Sequence, residues 1–166
     1  MIQALYEHIR MQCDAKENMR YDAENKHIVW SLKPEEDMQG LTCITLSEKV
    51  MLFRTTFTTS DGKPVTFEGL PYAKEAYAYL MMRNAFDYRS VWMIDFMDDT
   101  VHMTYAVSFS DLFLIETKSV EEALSSVRKS VSIAAKALKT ARTGSVPDDP
   151  VMLLRSLKEQ KGFVVV

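Results

Sequence analysis

Hydrophobic residues change period along this chain, and each change marks an element. Ile2, Leu5, Ile9 and Cys13 recur at intervals of three and four, with Glu7, Arg10, Asp14 and Lys16 turned elsewhere. That is the spacing of one helical face. It predicts a first helix ending before the polar cluster Asp22, Ala23, Glu24 and Asn25. The period then drops to two: Ile28, Trp30 and Leu32 alternate with His27, Val29 and Ser31, a strand with one apolar face that stops at Pro34. Residues 41–46 and 50–57 are rich in Thr, Ile, Val and Phe and predict a hairpin. A two-residue loop sets Ile44 opposite Phe53 and Leu46 opposite Met51. A three-residue loop moves Val50 and Leu52 onto that face instead. Ser60, Asp61, Gly62 and Lys63 read as a turn leading to a short returning strand at 65–67.

Gly69, Leu70 and Pro71 punctuate, and Pro71 suits the first turn of a second helix. Its buried stripe is Tyr72, Ala76, Tyr77, Leu80 and Met81, and it gives out near Asn84 and Ala85. Residues 91–96 and 101–109 flank a four-residue loop. Pairing Phe96 with Val101, Ile94 with Met103 and Trp92 with Tyr105 puts every aromatic residue of the hairpin on one face. Met93, Asp95, His102, Thr104 and Ser108 then share the other. Ser119 with Glu122 forms a capping-box pattern, followed by Val120, Leu124, Val127, Val131, Ala134 and Leu138 at four and three. This long helix ends among Lys136, Lys139 and Arg142, which suit its negative pole. A linker from Thr143 to Pro147 leads to a short helix through Leu153, Leu154 and Leu157. The chain ends in Phe163, Val164, Val165 and Val166.

The expected fold is α+β: helix, three strands, helix, two strands, helix, with an antiparallel sheet covered by helices on one face and more polar on the other, plus the short C-terminal helix. Length and composition agree with one domain. The chain has 166 residues, 47% of them apolar and 26% charged, enough to bury a core without staples. The formal net charge is −3, which argues against a nucleic-acid backbone as partner. No apolar run approaches the roughly 20 residues that span a bilayer. The N-terminus has no basic flank before an apolar run, so the expected location is cytoplasmic. Cys13 and Cys43 form no CxxC and read as reduced, partly buried thiols.

Chemistry is sparse. Asp95, Asp98, Asp99 and His102 form the most site-like cluster, with ligand types that suit a divalent metal. A cross-strand pair of Asp95 with His102 and an ordinary acidic turn account for the same four residues, so no metal is expected. There is no GxSxG, HExxH, GxxxxGK[ST] or GxGxxG, and no cofactor or catalytic residue is assigned. Eleven methionines is a high count. Most serve as packing, but Met93 beside Val91 on the polar face hints at a second apolar surface. Met93, Val91, Met81, Phe163 and Val164 are the candidates for a protein-binding surface. The last helix carries more apolar stripe than one small sheet needs, which predicts a homodimer.

By the order of its elements over residues 2–142, the chain resembles the YbjN-like family, whose domain shares the architecture of the small type III secretion chaperones. The likeness is strongest over 76–109. There a helix ends in Leu80, Met81, Met82, Arg83 and Asn84, and a strand, an acidic turn and an alternating strand follow. The family commonly carries an Asn-bearing helix end before its hairpin. The resemblance implies a non-enzymatic module that binds other proteins, often as a dimer, with no catalytic residues to carry over. YbjN-like members are described as bacterial sensory transduction regulators, whereas secretion chaperones hold an extended client segment on apolar patches. The expectation is therefore a regulator or adaptor, with a chaperone second and a small-ligand binder or enzyme as the rival from another class. The resemblance implies a YbjN-like domain over residues 1–142, and the sequence pattern predicts a linker, short helix and apolar tail over 143–166.

Overall fold

The computed structural model describes residues 2–86, 89–95, 97–109 and 117–145. In chain order it contains α1 (Ile2–Arg10), β1 (Asn18–Asp22), β2 (His27–Ser31), β3 (Met38–Leu46), β4 (Val50–Thr59), α2 (Ala73–Phe86), β5 (Ser90–Ile94), β6 (Val101–Ser108) and α3 (Thr117–Thr143). The class is α+β, and the six strands form one antiparallel sheet in the order β1-β2-β3-β4-β6-β5. The short C-terminal helix and the apolar tail lie outside the described residues.

The first strand group has four members where the sequence pattern indicated three. The first helix ends at Arg10 because Asp14 starts a tight turn. Its Oδ1 accepts the Lys16 N–H at 3.0 Å and its carbonyl accepts the Glu17 N–H at 2.9 Å. The chain emerges from that turn as β1, with Met19 and Tyr21 half-buried. Asp22 then closes the β1–β2 turn by accepting the N–H groups of Glu24 and Asn25. Between β3 and β4 the two-residue loop wins: Ile44 faces Phe53 and Leu46 faces Met51. Ser47 decides it, since its backbone and its hydroxyl both bond across the turn to Val50. Residues 65–67 do not form a strand: Pro64 makes an isolated bridge to Thr58 and Thr66 one to Thr100, although Val65 and Phe67 are buried.

The β5–β6 hairpin departs from the expected pairing by two residues. Trp92 faces Met103 and Ile94 faces Val101, while Phe96 lies outside the described residues. The Asp95 N–H donates to the Thr100 carbonyl at 2.9 Å, so the ladder closes on Asp95 and Thr100 rather than on Phe96 and Val101. A slip of two keeps every side chain on its face. Trp92, Met103 and Tyr105 are therefore buried as expected, and the Trp92 ring stacks on Phe57 with centroids 5.4 Å apart.

All three helices lie on the face that carries Ile28, Trp30, Ile44, Phe53, Tyr105 and Trp92. α3 begins at Thr117, so Ser119 is inside the helix, and Glu122 pairs with Arg89 instead of closing a capping box. Its stripe from Val120 to Ala141 is spent on the chain's own core. Gly40 lets α3 close on β3, because a Cβ there would stand 2.8 Å from Leu32 Cδ1 and 3.0 Å from Val131 Cγ2. Gly144, at φ +74°, ends the helix and donates its N–H to the Thr140 carbonyl. The buried stripe of α2 is Ala76, Tyr79 and Leu80. Tyr72 and Met81, expected in it, are exposed, because the helix turns its Tyr79 face between α3 and β5.

Two polar ties fix the layers. Arg128 on α3 makes a two-point ion pair with Glu17 (2.9 and 3.0 Å), donates to the Gln12 carbonyl and covers the Trp30 ring. Asn84 at the end of α2 closes the edge strand β5: its Oδ1 accepts the Trp92 N–H at 2.6 Å and its Nδ2 donates to the Trp92 carbonyl at 2.8 Å. Its side-chain amide thus stands in for a neighbouring strand at the middle of β5. Trp92→Ala should cost about 3–5 kcal/mol in chemical denaturation, the range for emptying an enclosed aromatic site. A loss below about 1 kcal/mol would show that the ring is not part of the core.

Candidate functional site

The tip of the β5–β6 hairpin gathers three of the four residues of the acidic cluster. Asp95 is past the end of β5, and Met93, not Asp95, stands opposite His102. The expected cross-strand pair is therefore replaced by a closer grouping in which donor atoms of Asp95, Asp98 and His102 lie within 4.8 Å of one another. Asp99 leaves the group. At φ +54° it turns its carboxylate inward to accept the Tyr77 hydroxyl at 2.7 Å and the Thr66 hydroxyl at 3.0 Å. Burial and this carboxylate push the Tyr77 phenol up to about 12.

Each remaining carboxylate serves its own turn. Asp95 Oδ1 accepts the Met97 N–H at 2.9 Å. Asp98 Oδ1 accepts the Thr100 N–H at 3.1 Å and the Thr100 hydroxyl at 2.6 Å. The bonds from Thr100 hold the Asp98 carboxyl below its usual range. His102 Nε2 is 2.8 Å from the Thr100 hydroxyl, and its buried Nδ1 has no partner among the described residues. Burial first, and the Arg54 charge second, push the His102 imidazole down. The ligand types suit a divalent cation, but turn hydrogen bonds account for the placement of both carboxylates.

The second site is the sheet face turned away from the helices. Val91 and Met93 are on it and exposed. Met81 is exposed beside the same edge, linked to it through Asn84, but on the helix side of the sheet. Phe163 and Val164 lie outside the described residues. Two apolar residues of this face, Leu41 and Leu52, were not singled out from the sequence. They alternate with Ile44 and Phe53, so the hairpin register that was left open carried that signal. Cys43 is half-buried on this face and Cys13 below α1, both as free thiols that burial pushes up.

Two open concavities accompany these sites. One of about 390 Å³ lies between Leu32, Lys33 and the Glu17–Arg128 pair, and another of about 430 Å³ runs along Val91 and Thr104 to Ser119. No helix of the described residues is long and apolar enough to cross a membrane. Compared with known proteins, the chain matches no family model, no curated protein and no solved structure.

The tip makes a pH prediction. The folded-state pKa of His102 is depressed, so its contribution to stability is present above the unfolded value near 6.5 and is lost as pH falls through the folded value. An NMR titration of the His102 ring should give a midpoint below about 6.5, and His102→Gln should flatten the acid side of the stability profile. A midpoint above that value would contradict the arrangement. Calorimetric titration with Mg²⁺, Mn²⁺, Ca²⁺ or Zn²⁺ should show no micromolar site. One abolished by Asp95→Ala with His102→Ala would make the tip a metal centre.

Proposed function

We propose that this chain is a non-enzymatic protein-binding module, a regulator or adaptor of the YbjN-like kind acting in the bacterial cytoplasm. The observation that carries the reading is the bare sheet face. Six strands are covered by helices on one side, and the other side keeps Leu41, Leu52, Val91 and Met93 exposed. A broad, shallow, partly apolar surface is the form a protein contact takes, whereas a small ligand favours an enclosed pocket. A chaperone holding an extended client segment would use the same surface and is the nearest alternative. The Asp95–Asp98–His102 grouping favours a small-ligand binder or enzyme as the more distant one.

We also propose a homodimer. The α3 stripe is consumed internally and Asn84 closes β5 at Trp92, so the dimer contact falls to the other sheet edge, β1. Light scattering over a dilution series should give about twice the 19.0 kDa of one chain. A mass near 19.0 kDa at every concentration contradicts it. The protein-binding reading is tested in cells by placing a photo-cross-linking residue at Thr45 or Ala106 on the bare face and at Ser125 or Lys136 on α3. Adducts to a protein other than this chain are expected from the first pair. The absence of adducts from all four positions would contradict the reading.

A further inference from the structure

The charge of the bare face runs against that of the chain. The sequence carries a net charge of −3. Yet the row crossing the middle of this face, one residue from each strand in spatial order, is Arg20, Val29, Cys43, Arg54, Thr104 and Val91. It holds two guanidinium groups and no carboxylate. Both arginines are exposed, and neither has an ion pair or a side-chain hydrogen bond among the described residues. Three aspartates at the strand ends bordering the face are engaged. Asp22 is held by the backbone of its own turn, and Asp95 and Asp98 by theirs.

Apolar surface flanks the central arginine. Leu41 is 46% exposed, Leu52 36%, Val91 40% and Met93 38%, half of the eight large apolar side chains exposed among the described residues. Leu41 is on β3, to one side of Arg54, and Val91 and Met93 are on β5 to the other. Leu52 precedes Arg54 by two positions on the same strand face. Arg20 and Arg54 are three strands apart, about 14 Å at the usual strand spacing.

We propose that the bare sheet face docks an acidic amphipathic helix of a partner protein, with carboxylates against Arg20 and Arg54 and an apolar stripe on Leu52, Val91 and Met93. This rests on the protein-binding reading and names its partner chemistry. A helix is the layer that covers an apolar sheet face, as α3 does on the other side. Carboxylates seven or eleven positions apart on one helix face are about 10 or 16 Å apart, which brackets the arginine spacing within side-chain reach. Two arginines set among Leu, Val and Met offer a polyanion too few phosphate contacts, because that affinity grows with each phosphate neutralised.

The test pans the full chain against an 18-residue helical peptide library with a fixed leucine stripe and Glu, Gln or Lys varied at the flanking positions. Glu should be enriched on the native chain. Arg54→Glu should move the enrichment to Lys and weaken the best Glu peptide about tenfold in fluorescence anisotropy, while Lys136→Glu on α3 should leave it unchanged. Arg54→Gln should give a smaller loss in the same direction, and thermal melts must show each variant folded as the parent. Enrichment indifferent to charge, or no selected peptide, overturns the proposal. So does binding to vesicles of phosphatidylcholine and phosphatidylserine that Arg54→Glu abolishes, since the ligand would then be an anionic lipid surface. Cross-linked adducts at Thr45 or Ala106 with any of those outcomes leave the protein-binding reading standing. Absence of adducts at Thr45 and Ala106 overturns the proposal, and absence from Ser125 and Lys136 as well removes the protein-binding reading with it.

Discussion

Every strand of this sheet pairs with its neighbour in an unbroken antiparallel register, and that constraint commits all six to one choice of face. Side chains alternate across a strand with period two, so the face chosen at one pair propagates to the next. α3 makes the choice. Its stripe needs an apolar floor, and the floor that fits is the row of large side chains from Ile28 and Trp30 through Ile44 and Phe53 to Tyr105 and Trp92. Two polar members of that floor are paired within it: Thr42 and Thr55 share a hydrogen bond at 2.9 Å with neither exposed. The opposite face inherits whatever remains.

The polar ties act where packing alone would leave freedom. Arg128 fastens α3 to the turn before β1 through a carboxylate that is itself almost buried. Removing one partner would strand the other's charge, which costs more than the pair contributes. Asn84 occupies the backbone groups that β5 would otherwise offer to another chain. Asp99 ties the hairpin tip to α2 through Tyr77, and that anchor leaves the two other tip carboxylates facing His102. Turn hydrogen bonds at the tip thus position that grouping.

Period and punctuation made most of this architecture legible in the sequence. The aromatic row of the last hairpin showed its face correctly, because a pairing error of two residues does not change parity. Its exact pairing was hidden, since it depends on Asp95, Asp98 and Asp99 each finding a partner in three dimensions. β1 was hidden for a different reason. Asn18, Met19, Arg20, Tyr21 and Asp22 show only a weak alternation, which an edge strand with one neighbour tolerates. The bare face was half legible. Met93 and Val91 stood out against a polar row, but β3 and β4 carry apolar residues at both parities, and only the position of α3 separates Ile44 and Phe53 from Leu41 and Leu52. The paired arginines could not be seen at all until the strand order put residues 20 and 54 in one row.

The central claim is that one sheet face is the core and that the other is left open by the described residues. Solvent paramagnetic relaxation enhancement tests it most directly, with a neutral gadolinium chelate and methyl-labelled protein. The account predicts strong enhancement at the methyl groups of Leu41, Leu52, Val91 and Met93, and almost none at Ile28, Ile44, Val107 and Val131. Outer-face methyl groups as protected as those of the core would contradict it, because the face would already be covered.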